Sequence, residues 1–518
     1  MLRDRPDIAR AMTKSFMYGR SEMRWPVMGA SLVGAFVSAL AGSSIWRTHA
    51  GLARAQEPPS ALVDNSDRIV FPIRPSANNR YLVDADGKPF LMVGDSPQNL
   101  IVNLSVPEAA EFIANRVSYG VNALWVNLFC ITTSSTCPKD ATTYDGIAPF
   151  LTPGDLATPN PAYIQRADDM LKLAEQSGMV ILLDPIETVS WLPVLRQNGI
   201  EKAFRYGQFL GNRFNSRANI IWLHGNDFQS WRDRADAALV QAVARGIRSV
   251  DAIHMHTAEL NYWTSGTLDD PSWGRLVELD AAYSYLPTFA QVSAEYDRAD
   301  HKPVFLVEAA YEGENNFLAD GGSLANLRKQ EYWTMLSGGS GQLYGSGWSW
   351  ALEKGWQAHL DTPGAVQLKI MKSLFSLRKW YELRPDKDHT TITGGYDAFA
   401  CLAGRLAVWV AHFPSLERFV RRARATGYIA DNGCATAART GDGSLVIAYM
   451  PTLRPLTVDM TRLAGPAIAR WYDPTDGSFT DVGGAPIANV GNLTFRSPNR
   501  NRAGDGDWVL VLETAGTR

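Results

Sequence analysis

Between residues 81 and 388, a short apolar run, a loop and a helical stretch recur in that order eight times. The runs fall at 89–94, 123–129, 179–183, 219–223, 252–257, 281–285, 303–307 and 341–345. Strands alternating with helices on this scale predict a parallel sheet covered by helices, closed as a (β/α)8 TIM barrel or open and doubly wound. An open dinucleotide-binding sheet would carry G-x-G-x-x-G after its first strand, and the chain has none. The expected fold class is therefore α/β, a TIM barrel over 81–388.

The stretches between the runs carry helix signals. Ser105 to Glu108 reads as a capping box, with Phe112, Ile113 and Val117 at helical spacing behind it. Asn160-Pro161 reads as an N-cap with Pro in the first turn, and Gly178 as the stop. Leu239, Val243 and Ile247 make another stripe. After about residue 389 the texture changes to short alternating runs at 445–449, 469–472 and 508–513, separated by Gly, Pro and Asp. That pattern predicts a small C-terminal antiparallel β-sandwich domain over 389–518.

The N-terminus reads differently. A basic stretch ending at Arg24 precedes an apolar run over 25–46, and Ala53-Arg54-Ala55 supplies an A-x-A site before Gln56. This is the layout of a signal peptide over 1–55, cleaved after Ala55, with an uncleaved anchor as the alternative. Residues 56–80 read as a linker with an early strand. Export implies a periplasmic or secreted protein with no stable membrane partner after cleavage. In an oxidising compartment Cys130 with Cys137, and Cys401 with Cys434, are expected to pair locally, although four cysteines allow three connectivities. The net charge of −3, without a long basic run, argues against a nucleic-acid partner.

Chemistry on a barrel belongs where the strands end. The eight strand ends gather Asp95, Asn127, Asp184 with Glu187, His224 with Asp227, then His254, His256 and Glu259, then Tyr283 with Tyr285, Glu308 with Tyr311, and Tyr344 with Trp348. Carboxylates and amides bind hydroxyls and flat aromatics cover the apolar face of a sugar, so this rim suits a carbohydrate substrate. Glycoside cleavage needs two carboxyl groups flanking the scissile bond, and Asp227 and Glu308 are the expected catalytic pair. Asp95, Asn127, Glu187, His224, His256, Tyr283, Tyr311, Tyr344 and Trp348 are the expected substrate-binding residues. Trp125 and Trp350 are further stacking candidates, with core burial as the alternative for each Trp. His254 and His256 lack a clear third ligand, and H-E-x-x-H, G-x-S-x-G and P-loop motifs are absent, so neither metal nor cofactor is expected.

The chain resembles the apiosidase-like (β/α)8-barrel glycoside hydrolases. The resemblance rests on Tyr81-Leu82-Val83-Asp84, Asp86-Gly87-Lys88-Pro89-Phe90 and Gly94-Asp95, then Arg213-Phe214 with Asn219-Ile220-Ile221-Trp222 and Asp227, then Pro303, Glu308, Tyr311-Glu312-Gly313 and Tyr344-Gly345. The tail resembles a collagen-binding-type β domain through Trp471-Tyr472-Asp473-Pro474, Gly477 and Asp507-Trp508-Val509-Leu510. The resemblance implies Asp227 as acid/base, Glu308 as nucleophile, retention of configuration and a furanosidic sugar such as apiose or arabinofuranose in a plant or bacterial polysaccharide. One departure is Gly225-Asn226 where the family often has two glycines. A glycan-binding barrel without turnover is the alternative function.

Overall fold

The computed structural model describes residues 69–514 except 135, 261–263, 315–320 and 414–427. The expected signal peptide, most of the linker and part of the loop after the seventh strand lie outside the described residues.

Eight parallel strands form the barrel: β1 Met92–Asp95, β2 Ala123–Asn127, β3 Val180–Asp184, β4 Ile220–Phe228, β5 Met255–Leu260, β6 Asp280–Ser284, β7 Val304–Glu308 and β8 Gly341–Tyr344. They hydrogen-bond in the order β5-β4-β3-β2-β1-β8-β7-β6. The seam between β5 and β6 is closed differently. Backbone N–H groups of Glu278 and Leu279 donate to the His256 carbonyl at 3.0 and 3.3 Å. The buried Thr267 hydroxyl donates to the Ala258 carbonyl at 2.5 Å and accepts from the Ala281 N–H at 3.0 Å.

The helices are α1 Val106–Ser118, α2 Pro161–Gln176, α3 Thr188–Phe214, α4 Arg234–Arg248, α5 Thr288–Tyr296, α6 Leu324–Leu336 and α7 Pro363–Ser376. Their starts follow from local chemistry. The Ser105 Oγ accepts from the Glu108 N–H while the Glu108 carboxylate accepts from the Ser105 N–H at 2.8 Å. The Asn160 Oδ1 accepts from the Ala162 N–H at 3.0 Å, with Pro161 filling a position that needs no donor.

Strand alternation sorts the core into two shells. Trp125, Leu182, Ile221, Leu223, Met255, Tyr283, Val307 and Leu343 fill the barrel interior. Leu124, Val126, Ile181, Leu183 and Trp222 face the helices instead. β5 begins three residues later than its apolar run suggests. The Asp251 carboxylate turns the chain there, accepting from the N–H groups of Ile253 and His254 at 3.0 and 3.2 Å. That offset carries Glu259 into the strand.

The C-terminal part has a six-stranded antiparallel sheet and a three-stranded one, with an apolar layer including Val446, Ala448, Val458, Trp471 and Leu510. Its first strand, Leu383–Pro385, comes just before the expected domain boundary and pairs with Thr436–Thr440. One element was not expected there, the helix α8 Ala398–Ala411. Asp397 caps it by accepting from the Ala400 N–H at 3.0 Å, and fourteen residues without a turn signal then continue as helix. Disulfides join Cys130 to Cys137 and Cys401 to Cys434. Among the described residues no helix is long and apolar enough to cross a membrane.

Candidate active site

Two breaks in the strand ladder aim the site. Between β4 and β5, Gly225 pairs with Glu259 and Phe228 with Leu260, so Asn226 and Asp227 are extra. Between β6 and β7, Ala282 pairs with Leu306 and Tyr283 with Glu308, so Val307 is extra. One extra residue, as at Val307, reverses which face the following side chain takes, whereas the two extra residues Asn226 and Asp227 keep the phase and form a turn. Gly225, Asn226 and Asp227 hold this turn with φ of 114°, 82° and 51°. Such angles are free for glycine and costly for Asn and Asp, by about 1–3 kcal/mol at each strained residue. Two contacts hold the turn in place. The Asp227 N–H donates to Glu259 Oε2 at 3.1 Å, and the Thr188 hydroxyl donates to the Asn226 carbonyl at 2.8 Å.

Glu308 is gripped by three phenols. Tyr283 and Tyr285 donate to its Oε1 at 2.9 and 3.0 Å, and Tyr311 donates to Oε2 at 2.8 Å. The Tyr311 oxygen accepts from Gln98 Nε2 at 3.2 Å, and Gln98 Oε1 accepts from Asn226 Nδ2 at 3.1 Å. A chain of oriented dipoles thus runs from beside Asp227 to Glu308.

Five carboxyl groups converge here: Asp184, Glu187, Asp227, Glu259 and Glu308. Burial raises the pKa of all five, and Asp227 raises Glu187, Glu259 and Glu308 further by its charge. Asp184, Glu187 and Glu259 are sealed from solvent, whereas Glu308 is half-buried and Asp227 exposed. Protein walls surround Asp227 closely even so, the setting of a side chain that lines a cleft. Only these two of the five can meet a substrate.

Burial lifts Asp227 to about 7 and Glu308 to about 8. Within that balance the three phenols directed at its oxygens favour the charged form of Glu308, and the charge of Asp227 opposes them. The Tyr283 hydroxyl also stands beside Asp227 and lowers its pKa. Tyr283 and Tyr311, raised well above the ordinary phenol value by burial and by the neighbouring acids, stay protonated donors.

Residues 76–382, more than half of the chain, match the model of the family described as apiosidase-like, catalytic domain. The chain belongs to the apiosidase-like family. It is a glycoside hydrolase. Residues 429–513 match the family described as a collagen-binding domain of a collagenase. Comparison with curated proteins finds no match. Among solved structures, one glycoside hydrolase superposes with a TM-score of 0.69 at 20% identity, over 86% of this chain and 97% of its own. A family 5 glycoside hydrolase from Bacteroides vulgatus ATCC 8482 gives 0.70 at 19% identity, over 86% and 94%. These two likenesses concern the fold.

In this apiosidase-like enzyme the other expected sugar ligands divide into two groups. Tyr283 and Tyr311 join Glu308, as described, and Glu187 lies within the charge of Asp227 while capping α3 through the Ser190 N–H. The rest do not join the pair. Asp95 is fully buried, its Oδ2 accepting from Arg116 Nε at 2.5 Å and its Oδ1 from the Ser96 N–H at 2.7 Å, so it is sealed away from a substrate hydroxyl. Asn127 is buried and accepts from Trp125 Nε1 at 2.9 Å. His224 and His256 alternate outward and contact one another at 2.9 Å, with His224 also stacked on Trp273. Burial holds both well below the ordinary imidazole value, hence neutral. Tyr344 also faces outward, donating to Glu312. Trp348 is exposed, with one ring face stacked on His359 at 4.7 Å. Trp125 lies sealed in the barrel interior.

Gln98 is the residue that sequence reasoning missed, and Glu259 and Tyr285 are ones it placed at strand ends without a role. Counting alternation along β5 from Met255 would have put Glu259 inside and His256 outside. Gln98 carried no comparable signal, because it lies in a loop.

Two sealed acids give a pH effect on stability. Burial raises Glu187 and Glu331 to about 8, above their unfolded value near 4.5. The folded state then keeps protons that the unfolded chain has released. The stability tied to those protons is complete below pH 4.5 and is lost as pH rises to about 8. The neutral histidine pair acts oppositely, but only below its unfolded value of 6.5. The melting temperature is therefore expected to fall from pH 6.5 to pH 8, with a shallower slope in Glu187→Gln. A flat wild-type profile over that window would contradict the burial argument.

Proposed function

We propose that the protein is an exported, retaining glycosidase that removes a furanosidic sugar, of the apiose or arabinofuranose type, from a polysaccharide, with Asp227 as acid/base and Glu308 as nucleophile. The observation that carries the assignment of roles is that Glu308 receives three hydroxyl donors while Asp227 stands within the charge of Glu187, Glu259 and Glu308. Asp227 holds the proton that the departing glycosidic oxygen needs. Ionised Glu308 attacks the anomeric carbon, and the bond to the leaving oxygen breaks as that oxygen takes the proton. Water, deprotonated by Asp227, then displaces Glu308 and frees the sugar with its original configuration.

Loss of charge from Glu308 during the attack loosens the phenol hydrogen bonds, which re-form when the carboxylate is released. Fixed donors of this kind need no reorganisation between steps. A panel of 4-nitrophenyl furanosides and pyranosides, with proton NMR of the first-formed anomer, tests the reading. Turnover of a furanoside with the product anomer matching the substrate is the expected result. Inversion would reject the nucleophile role, and pyranosides alone being cleaved would reject the sugar class.

A further inference from the structure

α8 and the residues just after it turn a row of large apolar side chains to water. Phe399, Leu402, Leu406, Trp409 and Phe413 each keep between 42% and 71% of their surface exposed. Among the described residues no other stretch of fifteen leaves as many open. The opposite face is fixed to the protein. Gly404 lets the helix close on α5, where an added Cβ would stand 2.7 Å from the Phe289 ring. The Cys401–Cys434 disulfide and the Asn432 amide, donating to the Ala400 carbonyl at 2.7 Å, hold the same side. The open face is therefore presented rigidly, and a contiguous apolar patch on a folded surface marks an interaction site.

Spacing and charge say what covers it. The five residues follow one another at steps of three, four, three and four, the repeat that keeps one stripe facing a partner helix. The row is close to palindromic. Leu406 is its midpoint, seven residues from each phenylalanine, with Leu402 on one side and Trp409 on the other. A face that reads alike in both directions is self-complementary, as a twofold axis requires. The basic side chains beside the stripe are committed elsewhere. Arg405 Nη2 donates to the Lys387 carbonyl at 2.9 Å, and His412 Nε2 contacts Asp269 Oδ2 at 2.9 Å. An anionic lipid surface would call for free cations along the flanks of such a helix. What this face offers is apolar contact without charge.

We propose that the open face of α8 docks on α8 of a second copy of this chain, antiparallel, about a twofold axis through Leu406. Phe399 then lies on Phe413 of the other copy, Leu402 on Trp409, and Leu406 on itself. At about 150–250 Å² for each large side chain, the five expose roughly 600 Å², and a symmetric pair covers about 1,200 Å², the lower end of the range for stable interfaces. The small or half-buried Ala403 and Val410, which flank the stripe, leave room for a helix to approach.

Sedimentation velocity of the full-length protein tests this, over about 0.1 to 100 µM. Wild type should dimerise with a Kd of about 10 µM or tighter. Leu406→Glu brings two carboxylates together at the axis and should raise that Kd by about 100-fold or more. A pair of double variants reads the direction of the helices. Leu402→Glu/Trp409→Lys sets opposite charges against each other in an antiparallel pair, and Leu402→Glu/Trp409→Glu sets like charges there. The first should therefore pair at least about tenfold more tightly than the second. Every protein carries the same N-terminal segment, so the differences report on α8, and melting curves that overlay wild type show that the variants are folded. A wild type that stays monomeric to about 100 µM overturns the proposal. So does a dimer indifferent to Leu406→Glu, or equal pairing of the two double variants. Flotation of a monomeric wild type with vesicles of phosphatidylcholine and phosphatidylglycerol, lost in Leu406→Glu, would assign the face to lipid instead and overturn it as well.

Discussion

Glu308→Gln is expected to lower kcat by about 10³-fold or more on every glycoside the enzyme cleaves, while the protein keeps its fold. The substitution changes one oxygen to an amide nitrogen and leaves the size of the side chain alone, so Tyr283, Tyr285 and Tyr311 stay packed around it. In the proposed mechanism it removes the charge that attacks carbon, and the acids sealed from solvent beside it cannot replace it. Asp227→Asn should behave differently. Loss of a general acid costs about 10²–10⁴-fold when the leaving group needs its proton. An aryl glycoside with an acidic phenol needs little help to depart, so its first step should be nearly spared while alkyl and polymeric substrates are strongly slowed. Steady-state kinetics on both substrate types, with circular dichroism as the check on folding, separates the two roles. Either variant retaining more than a tenth of wild-type activity on the polymer would remove that side chain from the chemistry.

The second large effect lies far from the cleft. Arg328, on α6, is sealed between the barrel and the C-terminal sheet. Its Nε and Nη2 donate to the two oxygens of buried Asp507 at 2.7 and 2.9 Å, and Nη2 and Nη1 reach Asp505 and Gln367 at 2.7 and 3.0 Å. The same helix sends Lys329 to the carbonyls of Ile429 and Ala430, Trp333 to the carbonyl of Cys434, and Tyr332 onto the Tyr449 ring. Arg328→Ala strands the Asp507 charge in a dry interface, and the expected cost is about 3–5 kcal/mol. Arg328→Met/Asp507→Leu should cost less than Arg328→Ala alone, because it leaves no unpaired charge. Urea unfolding of the three proteins measures both differences. A change within about 0.5 kcal/mol, the range of an ordinary surface substitution, would show that the interface does not depend on this pair. For the same reason a protein ending near residue 390 should expose the polar, buried face of α6 and fold poorly.

The sequence was most legible where one physical signal acted alone. Six of the eight apolar runs overlap their strands closely, since burial on both faces of a parallel strand leaves a short unbroken apolar stretch. The first run opens with Pro89 and Phe90, which pair with Val83 and Leu82 before β1 begins. Capped helix starts such as Ser105 and Asn160 were equally readable, because the cap is a local hydrogen bond between neighbours in the chain. The fifth strand was misplaced because Asp251 turns the chain after its apolar run has begun, a contact that hydrophobicity does not record. α8 was missed because its apolar residues recur on both faces: Cys401, Gly404 and Val408 are buried while Leu402, Leu406 and Trp409 are exposed.

From the order of its residues alone, this chain settled which acids stand at the ends of which strands, and that the strands close into a barrel. Which of those acids reach the cleft was decided by two ladder breaks, at Gly225–Phe228 and around Val307. Strict alternation sends His224, His256 and Tyr344 outward, while the left-handed turn at Gly225–Asp227 lifts Asp227 out of the ladder and the single bulge at Val307 brings Glu308 opposite Tyr283. A bulge is a mismatch between two strands distant in sequence, so it exists only once they are paired, and no single segment encodes it.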